Sequence, residues 1–465
     1  MQSFANADGL AFSATRPESL EAYDAIIRAF LGFRRDTADK VKALVEADPE
    51  MPMAIAARGY LTKMVGTSES APTVRAMSDK LNAMAAAARL NPREALHAKA
   101  LTAWADNQME EAATLWGTIL HAQPNDTLAL RLAHFIDFYS GNGRRLRDGI
   151  ARVLHAYPKG HRFHGFVQGM YAFGLEEAGD YARAERHGKI AVDENPADAW
   201  SVHAVAHAME MTGRDDEGLA FTGAIEKSWN ETNNFRFHLH WHRGLYLLEK
   251  GRTEEVLALY DAEFGAEPDS GFYLDMLNAT SMLWRLELFG MDVGDRWQKL
   301  AEVAAKRHHD EELIFVSLHY MMALVSAGGD ADVRALMDHL ETWAEKQTTQ
   351  GQVVARVGLE IARALADMRG GRAREAYDRL VPIRYEIDPI GGSHAQRDVF
   401  QMLLIDAAMR AGETGAATAF LAERVAERPG GVWGWRRYAD VLSARGADAA
   451  AAEARIREQE AAGAA

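Results

Sequence analysis

Two histidines and a glutamate in the segment HAVAHAME have a spacing suited to metal binding or acid–base chemistry. His203 and His207 are four residues apart, and Glu210 follows three residues later. On a helix all three side chains lie on one face. Such a set can bind a divalent cation, or position a histidine as a base, although no glutamate follows the first histidine as in the HExxH motif of zinc proteases. His203, His207 and Glu210 are therefore candidate catalytic and metal-binding residues.

A second segment, GGSHAQRD at 391–398, combines glycines with a serine, a histidine and an arginine. It lacks the GK[ST] ending of a phosphate-binding loop and the Gly-x-Ser-x-Gly pattern of a nucleophile elbow. Ser393 is suited to capping the helix that follows it. The remaining interpretation is a pocket rim at which Arg397 binds a carboxylate through two hydrogen bonds.

The elements that position these side chains are predicted to be helices. Apolar residues recur at i, i+3, i+4 and i+7 in segments such as YARAERHGKIAVDENPADAW at 181–200, and no stretch shows a sustained two-residue alternation. Glycines and prolines punctuate these segments, as expected where one helix ends and another begins.

A fixed spacing between a turn residue and a later proline divides the chain into units. Gly allows the left-handed turn that ends a first helix, and Pro marks the end of a second. Turn residues recur at 107, 141, 179, 213, 251, 290, 329, 371, 412 and 446, in steps of 34 to 42 residues that are typical of tetratricopeptide repeats. Prolines follow 17 residues later in five cases: Asn107 and Pro124, Gly141 and Pro158, Gly179 and Pro196, Gly251 and Pro268, and Gly412 and Pro429.

This pattern predicts an all-α fold, an α-α superhelix of the tetratricopeptide-like solenoid class, with about ten helix pairs in a single continuous array. We expect residues 1–92 to form an N-terminal helical cap of the array and residues 93–446 to form the repeats. The alanine-rich segment 447–465 is expected to be a C-terminal helix with a frayed tail.

In tetratricopeptide units one face of the first helix lines the concave surface. Counting back 3, 6, 10 and 13 residues from Gly213 selects Glu210, His207, His203 and Trp200 for that face. The same count in other units, with His242 one helical turn after His238, adds Phe173, Glu176, His238, Trp241, His242, Trp284 and His319. These residues and Arg397 are the candidate ligand-binding residues.

Composition excludes several classes of function. The chain has 52 Lys and Arg against 67 Asp and Glu, a formal net charge of −15, which disfavours nucleic acid and anionic membranes as partners. With no cysteine, it has no disulfide, thiolate nucleophile or cysteine-bound metal. We also find no signal peptide or membrane-spanning segment, so that a cytoplasmic location is expected.

Seven stretches are more specific than a generic repeat. They are DGLAFSATRPESLEAYD at 8–24, YAFGLEEAGDYARAE at 171–185, DAWSVHAVAHAMEMTGR at 198–214, HLHWHRGLYLLEKG at 238–251, LWRLELFGMDVGDRW at 283–297, FVSLHYMMAL at 315–324 and GGSHAQRDVF at 391–400. Through them the chain resembles the bacterial and animal family named after tetratricopeptide repeat protein 38, up to about residue 445. The resemblance implies the helical-repeat fold and no particular reaction. Leu239 stands where the family usually has Asn, and Asn278 and Ser317 stand where it usually has Asp.

Three interpretations of the inner face remain open. The histidines can hydrogen-bond to one another and to backbone carbonyls inside a narrow superhelix. They can instead form a ligand pocket, or a metal or acid–base centre. The main hypothesis is a solenoid that binds a small molecule or short peptide in a His/Trp-rich concave pocket, with no cofactor predicted. The alternative is an enzyme whose His/Glu centre, with or without a divalent metal, performs hydrolytic or oxidative chemistry. A homo-oligomer is also left open.

Overall fold

A computed structural model describes residues 1–464, in which antiparallel helix pairs follow one another along the chain. The twelve pairs in this part are Glu18–Leu31 with Thr37–Ala47, Pro52–Lys63 with Ala71–Ala86, Pro92–Ala105 with Met109–Ala122, Thr127–Tyr139 with Gly143–Ala151, His164–Glu177 with Tyr181–Glu194, Ala199–Met211 with Asp215–Ala224, Phe235–Glu249 with Thr253–Leu259, Tyr273–Leu288 with Arg296–Arg307, Ile314–Ala327 with Asp330–Ala344, Leu359–Arg369 with Ala373–Ile383, His394–Arg410 with Thr414–Glu427, and Val432–Ala444 with Ala450–Ala464.

Short elements complete the architecture between these pairs. They are the α-helices Glu226–Trp229 and Thr349–Val353, the π-helical turns Tyr260–Phe264 and Val354–Gly358, and the 3-10 turns Ser68–Ser70, Leu154–Ala156 and Asp388–Ile390. The π-helical turn Val354–Gly358 joins Thr349–Val353 to Leu359–Arg369 without a break. Among the described residues, no helix combines the length and apolar character needed to cross a membrane.

Each pair packs against the next pair in sequence, which confirms the predicted all-α solenoid in a single continuous array. The pattern of burial follows from the sequence: first helices such as Ala199–Met211 are buried on all sides, whereas second helices such as Tyr181–Glu194 bury only one stripe. The first helices therefore form the interior of the superhelix, and the second helices form its outer layer.

The structure has two more helix pairs than the ten turns predicted. Both lie within residues 18–86, where the connecting loops 32–36 and 64–70 are longer than a tetratricopeptide turn. Their turns also lack the glycine-to-proline spacing; in the first loop the left-handed residue is Phe33, with φ 51°. The boundaries proposed at residues 92 and 446 stay predictions.

The chain begins with a small β-hairpin that the helical pattern did not predict. Strand Gln2–Ala5 pairs antiparallel with Ala11–Ala14, and these strands are too short to show a two-residue alternation. The Asn6 side chain closes the turn by accepting hydrogen bonds from the backbone of Asp8 and Leu10. The buried side chain of Phe12 then packs the hairpin against the helical array.

The superhelix closes on itself, so that residues distant in sequence meet. Thr349 N donates a hydrogen bond to the carbonyl oxygen of Asn107 (3.1 Å), and the turn at Gly141 packs against the backbone of Asp388. In the same way the turn at Gly213 packs against Gly430. Turns of the N-terminal half are thus joined to loops of the C-terminal half, and the interior between them is enclosed.

Candidate functional site

Four imidazoles meet in the interior of the superhelix. His203 and His207 lie on Ala199–Met211, and His238 and His242 lie on the neighbouring first helix. Each side chain is buried, and each offers a ring nitrogen, all four within 4.8 Å of one another. His203 Nε2 is 2.9 Å from His207 Nε2 and 3.1 Å from His238 Nε2.

Polar side chains orient two of these rings. His238 Nδ1 donates a hydrogen bond to Asn278 Oδ1 (2.7 Å), and His242 Nδ1 donates one to Glu210 Oε2 (3.0 Å). Because a neutral imidazole carries one proton, Nε2 of each of these rings is left with a free lone pair. Glu210, a candidate metal ligand together with His203 and His207, orients an imidazole of the neighbouring first helix.

Two adjacent glutamates lie beneath His207. Glu176 is fully buried, and its Oε2 is 3.4 Å from His207 Nδ1. Burial raises the pKa of Glu176 well above its ordinary value, with the neighbouring Glu177 adding to the effect. Glu177 accepts a hydrogen bond from the backbone N of His394 (3.1 Å), which connects the cluster to the segment 391–398.

The four clustered imidazoles are neutral at neutral pH. Burial lowers the pKa of His207 and of His242 to about 4, and burial followed by the neighbouring imidazoles holds those of His203 and His238 well below the ordinary value. Each ring therefore keeps one nitrogen lone pair available for a hydrogen bond or a cation.

Aromatic side chains predicted for the inner face surround the cluster. Phe173 stacks on His203 with ring centroids 5.1 Å apart, and Trp200 lies 5.2 Å from the same ring. On the other side Trp241 stacks on His238 at 5.1 Å. The imidazoles are thus enclosed by apolar surface, which strengthens every electrostatic interaction among them.

A cavity of about 240 Å³ adjoins this cluster, and His203 and His238 form part of its wall. The exposed residues Arg34, Ala38 and Val65 stand at its mouth. Most of the wall is aromatic or aliphatic. Wall residues outside the candidate set include Phe30, Phe33, Phe135, Phe138, Tyr139, Phe235, Tyr273, Leu277 and Phe315.

Phe33 lies in the loop 32–36 of the first helix pair and forms part of the cavity wall. Its ring stacks on Phe235 with centroids 4.3 Å apart, and its carbonyl oxygen accepts a hydrogen bond from Asn233 N (2.7 Å). A left-handed backbone is strained for a bulky side chain, at a cost of roughly 1–3 kcal/mol. These contacts hold the strained residue in the wall. The repeat pattern begins after this part of the chain, so counting back from the turn residues could not select Phe33.

Trp284 was predicted for the inner face but lies elsewhere. Its ring packs edge-on against Trp297 of the second helix in the same pair, at 6.4 Å. Arg285, one residue later, faces the cluster instead, with its guanidinium 5.5 Å from the Trp241 ring. Each residue advances a helix by about 100°, so Trp284 and Arg285 face different neighbours although this helix also ends at a left-handed glycine, Gly290 (φ 86°).

His319 is buried but makes its contacts outside the imidazole cluster. Its Nδ1 donates a hydrogen bond to the carbonyl oxygen of Phe315 (2.7 Å), and its ring is 5.9 Å from Phe400. The count from Gly329 failed because that residue is not left-handed (φ −80°). The helix before it therefore ends differently from those that precede a true glycine turn.

Arg397 is paired within its own loop. It donates a hydrogen bond to the carbonyl oxygen of Gly392 and lies 3.3 Å from the Asp388 carboxylate. Ser393 caps the following helix as predicted, accepting a hydrogen bond from Gln396 N in a capping box. The segment 391–398 is therefore a helix entry whose glycines lie in the cavity wall.

These features define an all-α solenoid of tetratricopeptide-like helix pairs with a buried imidazole cluster beside an apolar cavity. No protein-family model matches the chain. Two solved structures are similar to it: the crystal structure of the APC/C hetero-tetramer Cut9–Hcn1 (12% identity, 90% of this chain and 69% of that chain covered, TM-score 0.45) and the structure of Naa15/Naa10 bound to HypK-THB (11% identity, 92% and 73% covered, TM-score 0.24). Since both scores are below 0.5, the assignment to this class depends on the helix pairs of the chain itself.

Proposed function

We propose that the solenoid binds a small, largely apolar molecule in the cavity beside the imidazole cluster. The observation that carries this proposal is the wall: aromatic rings on most sides, with His203 and His238 as convergent polar groups. Small-molecule sites in proteins have this composition, an apolar enclosure with a few polar groups that fix orientation.

The volume limits the ligand. An engineered protein cavity of roughly 150 Å³ takes up a single benzene ring, and the cavity here is about 240 Å³. A two-ring compound or a short acyl chain fits this space, whereas an extended peptide would need a continuous groove. Size therefore favours the small molecule over the short peptide.

The histidines suit a ligand with one polar end. Nδ1 of His203 has no hydrogen-bond partner among residues 1–464, although the residue is buried. A buried polar atom without a partner costs about 1–3 kcal/mol. A hydroxyl group bound at this end of the cavity could donate a hydrogen bond to Nδ1 and would relieve part of that cost.

The proposed site also supports membership of the family named after tetratricopeptide repeat protein 38. Five of the stretches that carry the resemblance contribute to the cluster or the cavity wall: residues 171–185, 198–214, 238–251, 315–324 and 391–400. We propose this membership on those stretches. The cytoplasmic location and the absence of a nucleic-acid partner stay predictions.

Ligand binding is tested by narrowing the mouth of the cavity. Ala38 is exposed at the mouth, so Ala38→Trp should place an indole across the opening without disturbing the core. We expect the Kd for naphthol, a two-ring fluorophore, to rise at least about tenfold, which is 1.4 kcal/mol of binding free energy. Fluorescence titration measures this on protein stripped of metal.

The matched control is Ala43→Trp, because Ala43 is an exposed residue of the same helix and is absent from the cavity wall. This variant should bind naphthol like the wild type. Equal binding by both variants, or no saturable binding of naphthol by the wild-type protein, would contradict the proposed function.

A further inference from the structure

The imidazole cluster is poorly satisfied by hydrogen bonds alone. The Nδ1 protons of His238 and His242 are used by Asn278 and Glu210, so their Nε2 atoms carry lone pairs. His203 Nε2 lies within hydrogen-bond distance of both His207 Nε2 and His238 Nε2. Its single proton can form a good hydrogen bond with only one of them. His242 Nε2 then has no partner among the described residues.

A cation would satisfy all four rings at once. In a tetrahedral site with metal–nitrogen distances of about 2.0–2.1 Å, neighbouring ligand nitrogens are about 3.3 Å apart. The Nε2–Nε2 distances from His203 to His207 and to His238, 2.9 and 3.1 Å, are a few tenths of an ångström shorter, and the ligand atoms of all four rings lie within 4.8 Å of one another. Small side-chain shifts on two rigid helices therefore convert the cluster into metal-binding geometry.

The surroundings also match those of metal-bound histidines. In metal sites each ligating imidazole donates its other ring N–H to a carboxylate or carbonyl oxygen, which fixes its orientation. Here Asn278, Glu210 and Glu176 offer such oxygens to three of the four rings, at 2.7, 3.0 and 3.4 Å. Glu210 also supplies negative charge beside a site whose direct ligands are uncharged.

We propose that His203, His207, His238 and His242 together bind one divalent transition metal, zinc first. Imidazole suits zinc, copper and nickel, whereas magnesium and calcium require oxygen ligands. Because His203 and His238 also form the cavity wall, the cavity provides a path by which the ion enters. This site goes beyond the proposed binding function and does not depend on it.

The test uses full-length protein without a histidine tag, stripped with a chelator, loaded with Zn²⁺ and desalted. Elemental analysis should find one zinc per chain in the wild type. His203→Ala combined with His207→Ala should lose it, with helix content by circular dichroism as the check on folding. His240→Ala is the matched control, since His240 lies between two of the ligands in sequence but packs against Trp229 at 5.0 Å; it should retain the zinc.

A measurement on the wild type keeps the proposal testable even if the double variant fails to fold. X-ray absorption of the zinc-loaded protein should show four nitrogen neighbours at about 2.0–2.1 Å. Wild-type protein that retains no zinc, a double variant that retains as much as the wild type, or a coordination shell dominated by oxygen would each overturn the proposal.

Asn278 provides a further, graded test as a positioning residue. Asn278→Leu removes the oxygen that orients His238 and should weaken zinc binding about 10–100-fold, the usual effect of losing such a partner. Asn278→Asp retains an oxygen at the same place, so its zinc affinity should stay within about threefold of the wild type, well short of that loss. If both variants bind zinc equally well, Asn278 has no positioning role and His238 is not held as a ligand.

Discussion

Replacing Asp398 with asparagine should lower the free energy of unfolding by about 3–5 kcal/mol at neutral pH, as found when one partner of a buried ion pair is removed. Asp398 receives hydrogen bonds from two nitrogens of Arg424, whose side chain is only 2% exposed, and lies 3.6 Å from Arg428. Arg428 in turn lies 3.3 Å from Glu210 of the imidazole cluster. Urea unfolding followed by circular dichroism measures the loss.

The effect of Asp398→Asn should depend on pH. Burial opposes ionisation of Asp398, but Arg424 and Arg428 together hold its pKa well below the ordinary value. A depressed pKa in the folded state adds stability that is present above the pKa of the unfolded chain, near 3.9, and is lost as the pH falls through the folded pKa. The difference between wild type and variant should therefore shrink below about pH 4.

Asp378→Asn is the control for this prediction. Asp378 is 61% exposed and pairs loosely with Arg374 at 3.7 Å, so its loss should cost less than about 1 kcal/mol. Similar losses in the two variants at neutral pH would show that the buried ion pair of Asp398 and Arg424 does not stabilise the closed superhelix.

Gly141→Ala should destabilise the protein by about 3 kcal/mol or more and also weaken naphthol binding. The left-handed backbone of Gly141 (φ 63°) costs an alanine roughly 1–2 kcal/mol. In addition, an added Cβ would clash with the backbone of Asp388, whose carbonyl carbon would be 2.6 Å away, and a backbone clash adds strain of about 1–3 kcal/mol. The segment that must shift continues into Ile390 and Gly391 of the cavity wall.

Gly179→Ala is the control that separates backbone strain from the clash with a neighbouring segment. Gly179 ends the next first helix with a similar left-handed backbone (φ 82°), but a Cβ there would meet no heavy atom within 4 Å. Gly179→Ala should therefore lower the free energy of unfolding only by the roughly 1–2 kcal/mol of backbone strain and leave naphthol binding unchanged. Urea unfolding and fluorescence titration compare the two variants; equal losses would mean that the contact between Gly141 and Asp388 does not hold the array closed.

The sequence by itself determined the helix pairs and part of the candidate site, because both depend on local geometry. A spacing of four residues places His203 and His207 on one helical face whatever surrounds the helix. The glycine turn at Gly213 sets the phase of that helix, so that counting back from it selected side chains that do face the interior. Ser393 as a helix cap followed equally from its neighbours in the chain.

Only the tertiary structure decided which side chains meet around those histidines. Asn278 reaches His238 because two first helices pack side by side, and one residue of helical phase excluded Trp284 and brought in Arg285. Phe33 enters the wall from a loop with no repeat pattern. The closure that encloses the cavity is the sum of small rotations between successive pairs. Each rotation depends on how the side chains of two neighbouring pairs pack together. The closure therefore cannot be predicted from any local sequence pattern.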